Sequence, residues 1–243
     1  MKSLISLLVL ALLTTGSAFA IDKDKLTQAL SDPERADADK ARDESRKPAE
    51  VLDFLGLEDG MTVLDVMASA GWYSEVLSHA VGPNGKVLMQ NSPASLGMRG
   101  TGEAVTARLA NDRLPNIERV DADLPDMDIP ENSVDLAITA LNFHDVYNRD
   151  PAAAQAMLKE IHEVLKPGGV LGLIDHKGDY GADNASLHRI ALENVLQSVT
   201  EAGFAVVGYS DVLHSEADDH SKGPFDPSLG RSTDRFVLKL QKR

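Results

Sequence analysis

The sequence predicts a doubly wound α/β domain, on three observations. The first is the stretch Thr62 to Tyr73, TVLDVMASAGWY, which reads as a buried strand over Thr62 to Val66, a turn of small residues and the start of a helix. The second is its repetition. Lys86 to Gln90, Ile117 to Val120, Val134 to Thr139 and Val170 to Asp175 are further short apolar runs, with helix-like segments between most of them. The third is Asp65, an acid near the carboxyl end of the first strand. Small residues at the turn with an acid beside them are how such a sheet builds a nucleotide-type pocket.

Each element has its own local signal. Residues 21–47 are highly charged with few apolar residues, broken at Asp32-Pro33, and predict one or two short surface helices or a partly mobile arm. Pro48 to Leu55 has Val51, Leu52 and Leu55 at helical spacing, with Pro48 suited to a first turn. A helix from about Gly71 to Val81 ends at the turn Gly82-Pro83-Asn84-Gly85. A less regular region runs to about Gly102, followed by a helix near Glu103 to Asn111. Pro151 to Leu165 is a helix opened by proline and closed by Lys166-Pro167-Gly168-Gly169. Leu187 to Ala202 is another, with Gly203 at its end. Phe204 to Leu213 and Thr233 to Gln241 read as two final strands around the long polar loop His214 to Gly230. Right-handed crossovers make the first five strands parallel. The last two, joined only by a loop, suit an antiparallel hairpin. No internal repeat or second domain is evident, so residues 48–243 read as one domain.

Four segments carry a family resemblance: VLDVMASAGWYSEVLS, GKVLMQN, DADLPDMDIPENSVDLAITALNFHDVY and MLKEIHEVLKPGGVLGLIDH. In this order they resemble the motifs of class I S-adenosylmethionine-dependent methyltransferases, over roughly Pro48 to Arg243. LKPGG followed by an apolar strand, in register with the rest, is fairly specific. The resemblance implies a Rossmann-like seven-stranded, mostly parallel sheet in the order 3-2-1-4-5-7-6, with the last strand antiparallel and helices on both faces. It also implies S-adenosylmethionine as cofactor, and that the helix at 48–55 covers the cofactor cleft. The first motif departs from the family pattern. Where Gly-x-Gly-x-Gly is usual, this chain has Met67, Ser69 and Gly71, so the motif is weakened.

The chain has 243 residues, enough for one large α/β domain. Met1-Lys2, the apolar run Leu4 to Leu13 and Ala18-Phe19-Ala20 read as a secretory signal peptide over residues 1–20, cleaved after Ala20. A run of ten residues, nine of them apolar, falls short of the ~20 that span a bilayer, so no membrane anchoring is expected after cleavage. There is no cysteine, which excludes disulfides, thiolate metal sites and a cysteine nucleophile. A periplasmic or secreted protein is expected. The formal charge is −14; losing residues 1–20 removes one lysine and no acid, giving −15. Such a chain is repelled by nucleic acid and anionic membrane, which leaves a small-molecule substrate.

In an open α/β sheet, ligands sit beyond the carboxyl ends of the strands. That rule nominates Asp65 to Gly71, Asn91, Asp121 to Asp123, Asn142 to Tyr147, and Asp175-His176. On the resemblance, Asp65 helps hold the amino-acid end of the cofactor, or stabilises the turn; Met67 packs against the cofactor or plugs its pocket, Ser69 offers it a hydrogen bond, and Gly71 serves close strand–helix packing as much as binding. The residue at the end of strand two, usually an acid on the ribose hydroxyls, is Asn91, or Gln90 if the register slips by one. Asp121 and Ala122 stand where an acid contacts the adenine. Asn142, His144, Asp145 and Tyr147 fall within six residues after strand four, an unusual density for a plain connection. His144 is the proposed base, supported by Asp145, Tyr147 or His176; the alternative is a buried histidine satisfied by backbone. Two histidines on one edge can bind a metal, but no third ligand is evident, and none is expected. His214 to His220 reads as a solvated acidic loop. The expected activity is methyl transfer to a small acceptor. The alternative is an exported non-catalytic binding protein that keeps the fold.

Overall fold

The structure, a computed structural model, describes residues 21–243. The predicted leader at 1–20 lies outside the described residues. The sheet strands are β1 (Thr62–Val66), β2 (Lys86–Gln90), β3 (Ile117–Val120), β4 (Val134–Ala140), β5 (Leu165–Gly178), β6 (Ile190–Ala191), β7 (Phe204–Ser210) and β8 (Arg235–Lys242). Their order is β3-β2-β1-β4-β5-β8-β7, with the two-residue β6 beside β5. Pairs β1–β2, β1–β4, β2–β3 and β4–β5 are parallel, and β8 runs antiparallel to both β5 and β7. This is the expected order with one short strand added.

Alternation along the strands sorts the core into two layers. Val63, Leu136, Ile138, Ile174 and Val237 face one side. There they meet Leu52 and Leu55 of α3 (Pro48–Leu55) and Val76 and Leu77 of α4 (Trp72–Val81). Leu64, Ala137, Leu171, Leu173, Phe236 and Leu238 face the other side. They meet Leu158 and Ile161 of α8 (Pro151–Val164) and Val195 and Val199 of α9 (Leu192–Glu201). Side chains of period two, buried on both faces, produce the continuous apolar runs seen in the sequence.

The charged arm forms two helices, one of the two expected readings, α1 (Lys23–Leu30) and α2 (Asp37–Arg46), and α1 buries Leu26 and Leu30 in the core. Three elements differ from the expectation. The segment after β4 is a helix, α7 (Phe143–Arg149), rather than a plain connection. Strand β5 begins at Leu165, because α8 stops at Val164 ahead of Pro167, whose ring bars a further helical turn. A Cβ on Gly169 would lie 2.8 Å from the Lys166 carbonyl, so the pairing of β5 with β4 at this point requires glycine. Finally, α9 starts at Leu192, leaving His188 in the preceding loop. Two short helices, α5 (Pro93–Leu96) and α6 (Thr101–Arg108), bridge β2 to β3.

Candidate active site

A cavity of about 350 Å³ opens beyond the carboxyl ends of β1, β4 and β5. Its walls are the turn after β1, the segment Ala140 to Asp145, His176 and His188, the end of α2, and Phe225, Arg231 and Arg235 from the C-terminal region.

The turn after β1 keeps the backbone path that glycines usually supply. Met67, Ser69 and Gly71 have φ of 54°, 53° and 80°. Left-handed backbone costs a side-chain-bearing residue on the order of 1 kcal/mol. Buried side chains from the end of β2 offset that cost. Gln90 Oε1 accepts from the Met67 amide at 2.8 Å, and Asn91 Oδ1 from the Ser69 amide at 2.8 Å. Asn91 Nδ2 donates back to the Ser69 carbonyl, and Gln90 Nε2 to that of Ala122. At Gly71 the chain is crowded: a Cβ would lie 2.4 Å from Met89 Cε and 3.2 Å from Arg108 Cδ. Arg108 of α6 bonds the Ala70 carbonyl, Asp39 of α2 and Glu75 of α4, pinning three helices around the turn. Asp65 is buried and accepts from Ser74 Oγ at 2.6 Å. Burial raises its pKa to about 7, against the opposing pull of Ser74 and two nearby arginines.

The second wall is a histidine–carboxylate array. Asp175, with no exposed surface, accepts from the His144 amide at 2.7 Å and the His176 amide at 2.8 Å, and pairs with His144 Nδ1 at 2.6 Å. His144 Nε2 lies 3.3 Å from Asp145, which also takes His188 Nδ1 at 2.8 Å. Burial pulls the His144 pKa down, but bonds to Asp145 and Asp175 outweigh it and lift it to about 9. His144 is therefore an imidazolium at neutral pH. The same bond holds Asp145 down at about 2. His176 goes the other way: burial, then the positive charge of His144 and three arginines, hold its pKa well below the ordinary value. Its Nδ1 pairs with Thr233 Oγ1 at 2.6 Å. His144 Nε2, Asp145 Oδ1 and His188 Nδ1 lie within 4.8 Å of one another and could ligate a divalent ion. The group leaves out His176, so it is not the His144–His176 pair of the sequence reading, and His144 would have to give up its Nε2 proton to ligate.

The predicted residues divide sharply. Asp65, Met67, Ser69, Asn142, His144, Asp145 and His176 meet at the cavity. Gly71 shapes the turn behind it. Asn91 does not reach the cavity, because both ends of its amide are spent on Ser69. Asp121 pairs with Arg119 at 2.6 Å in an exposed position, and Ala122 offers its carbonyl to Gln90. Tyr147 points away, packing on the core beside Phe143. Asp145 reaches His144 Nε2 as one reading expected, and Asp175, on the neighbouring strand, holds the other ring nitrogen and the His144 amide. Asp175 was nominated by its place at a strand end but given no role, and Arg235 read equally as an ion-pair partner of Asp234 or as reaching over the site's edge; His188 and Arg46 were missed, with no local signal to find them.

Residues 63–169 match a family described as a methyltransferase domain. The ubiquinone/menaquinone biosynthesis C-methyltransferase UbiE of Hahella chejuensis is 31% identical over 124 residues, covering 51% of this chain and 46% of that protein. The chain thus spans about half the length of the curated relatives it matches. A SAM-dependent methyltransferase from Aquifex aeolicus has a similar fold, with a TM-score of 0.62, 23% identity, and coverage of 91% of this chain and 99% of that one. The [4+2]-cyclase SpnF is also similar in fold, with a TM-score of 0.61, 20% identity, and coverage of 87% and 84%. The domain match over residues 63–169 and the sheet order make this chain similar to methyltransferases, in sequence over that segment and in fold over most of its length.

Proposed function

We propose that the protein transfers a methyl group from S-adenosylmethionine to a small-molecule acceptor. The observation that carries this reading is the cavity itself. The turn after β1 and Asp65 form one wall, the His144–Asp175–His176 array forms another, and both lie beyond the strands' carboxyl ends, where an open α/β sheet holds its ligands. The residues fit the amino-acid end of the cofactor, where Asp65 and the turn would hold it. They do not offer the usual carboxylate to its ribose, since Asn91 is committed inward. S-adenosylmethionine supplies an electrophilic methyl: the acceptor's lone pair forms the new bond as the sulfonium sulfur keeps the electrons of the old one. The chain's own residues position the acceptor and handle its proton. His144, already protonated, stabilises negative charge on the acceptor. The proton-accepting role expected of His144 passes to His176, whose neutral ring keeps a lone pair at neutral pH.

His176→Gln is expected to lower methyl transfer at least a hundredfold, with S-adenosylhomocysteine affinity within threefold of wild type. Unchanged turnover removes His176 from the mechanism. Calorimetric titration with S-adenosylmethionine and S-adenosylhomocysteine tests the reading as a whole. Micromolar binding supports it; no binding at millimolar ligand by folded protein overturns it. That second outcome supports a non-catalytic binding protein, which the inward-turned Asn91 favours. SpnF, a cyclase by name, carries the same fold with a different printed activity. The leader at 1–20 supports a periplasmic or secreted location, which N-terminal sequencing of the natural protein checks by finding Ile21 first.

A further inference from the structure

Two guanidinium groups in the cavity wall, Arg235 buried and Arg46 half-buried, lack the carboxylate partners that buried charges normally have. Arg46 ends α2 and lies over Trp72, with Cζ 4.5 Å from the ring centroid. Arg235 opens β8, opposite His176 in register, and is only 5% exposed. Its Nε donates to the Thr233 carbonyl and its Nη2 to the carbonyl of Ser45, the residue before Arg46. Among the described residues, neither arginine has a carboxylate within 4 Å. The other buried arginines do: Arg35 pairs with Asp43, and Arg189 with Asp218. The contrast is sharp in a chain with 38 acids against 24 bases. Asp65, the acid that shares this cavity, is bonded to Ser74 and half-protonated near neutral pH. Burying a charge without a counter-charge is strongly unfavourable, and an entering anion relieves it.

We propose that Arg46 and Arg235 bind an anionic group, a carboxylate or a phosphate, carried by the methyl acceptor. The proposal rests on the methyl-transfer reading for the word acceptor, and on geometry alone for the anion. Planar guanidinium forks match the paired oxygens of both groups. Stacking on Trp72 fixes one fork, and two carbonyl bonds fix the other, so both are ordered before the ligand arrives. The register of Arg235 with His176 brings the bound anion beside the neutral imidazole. Negative charge there raises the basicity of His176 when a proton has to be taken. The cofactor's own carboxylate shares this chemistry, so the two sources have to be told apart.

The experiment is calorimetric titration of the protein with inorganic phosphate and with benzoate, in low-salt Tris buffer, with and without saturating S-adenosylhomocysteine. Saturable one-to-one binding of at least one probe is expected. Arg46→Gln and Arg235→Gln should each weaken it at least tenfold. Lys86→Gln, in an exposed pair with Glu118 far from the cavity, should leave it unchanged. Arg46 is the less buried of the two, so Arg46→Gln carries the test if Arg235→Gln does not fold. Retained probe binding with S-adenosylhomocysteine bound assigns the anion to the acceptor. Displacement of the probe assigns it to the cofactor's carboxylate and overturns the proposal. No saturable binding by folded wild type, or equal weakening by Lys86→Gln, also overturns it. Probe binding without any S-adenosylhomocysteine binding leaves the anion site standing and removes the methyl-transfer reading instead.

Discussion

Asp65 is a carboxyl group that folding makes harder to ionise. Its folded pKa of about 7 lies above the ordinary 3.8, so the native state binds the extra proton. Its stabilising contribution is complete below pH 3.8 and is lost as pH rises through about 7. Asp65→Asn, which can keep the bond from Ser74, should therefore stabilise the protein at pH 8 by roughly 2–4 kcal/mol and change little near pH 4. Denaturant unfolding at both pH values checks this. His144 has the same sign. Its folded pKa of about 9 lies above 6.5, so its contribution is present below 6.5 and lost through about 9. Asp175→Asn should move the His144 ring titration, followed by NMR, down towards the ordinary histidine range. Asp65, His144 and His176 were legible in the sequence because each lies at or just past the carboxyl end of a strand, and strand ends are local patterns. The role of Arg235 was not, since its partner Ser45 is 190 residues away and no local spacing carries that.

At the scale of elements, the turn after β1 shows how a departure from a motif can preserve its shape. Asn91 looked like a weakened ribose contact, but it is a clasp that holds Ser69 in left-handed backbone. Restoring the usual acid should therefore fail. In Asn91→Asp the carboxylate still accepts from the Ser69 amide, but its other oxygen faces the Ser69 carbonyl where an N–H stood. A buried charge and a lost donor together should cost about 1–3 kcal/mol, with no gain in S-adenosylhomocysteine affinity. Thermal unfolding and calorimetry measure both. Tighter cofactor binding in this variant would show that position 91 does face the ribose. The sheet was legible because strands buried on both faces give unbroken apolar runs. Helix α7 was not, because in FHDVYNR only Phe143 and His144 are buried, too few for an amphipathic stripe. The early start of β5 was hidden by Pro167 and the two glycines after it, which read as a turn.

At the scale of the molecule, the two segments that read as solvated surface are the walls of the site. The charged arm brings Arg46 to the cavity, and the acidic loop after β7 brings Phe225 and Arg231. Composition could not reveal this, because their polar residues are spent on one another and on the domain. Lys47 reaches the Val212 carbonyl, and Asp234 gathers His214, His220 and Lys177. These loop residues lie beyond the 63–169 match. The Arg189–Asp218 pair anchors the loop. Both side chains have no exposed surface, and Asp218 also accepts from the Asp234 amide at 2.6 Å. Asp218→Ala leaves the guanidinium buried without a counter-charge, which should cost about 3–5 kcal/mol if the loop stays packed. The loop can escape part of that cost by opening and letting water reach Arg189. Limited proteolysis should then cut first between residues 211 and 234, before the sheet unfolds, while denaturant unfolding shows a smaller loss than the fixed-loop figure. Asp218→Asn keeps the bond to Asp234 and should open the loop less. Equal cleavage of Asp218→Ala and wild type would show that the loop is held by its histidine–Asp234 contacts alone, and that the cavity wall does not depend on the buried pair.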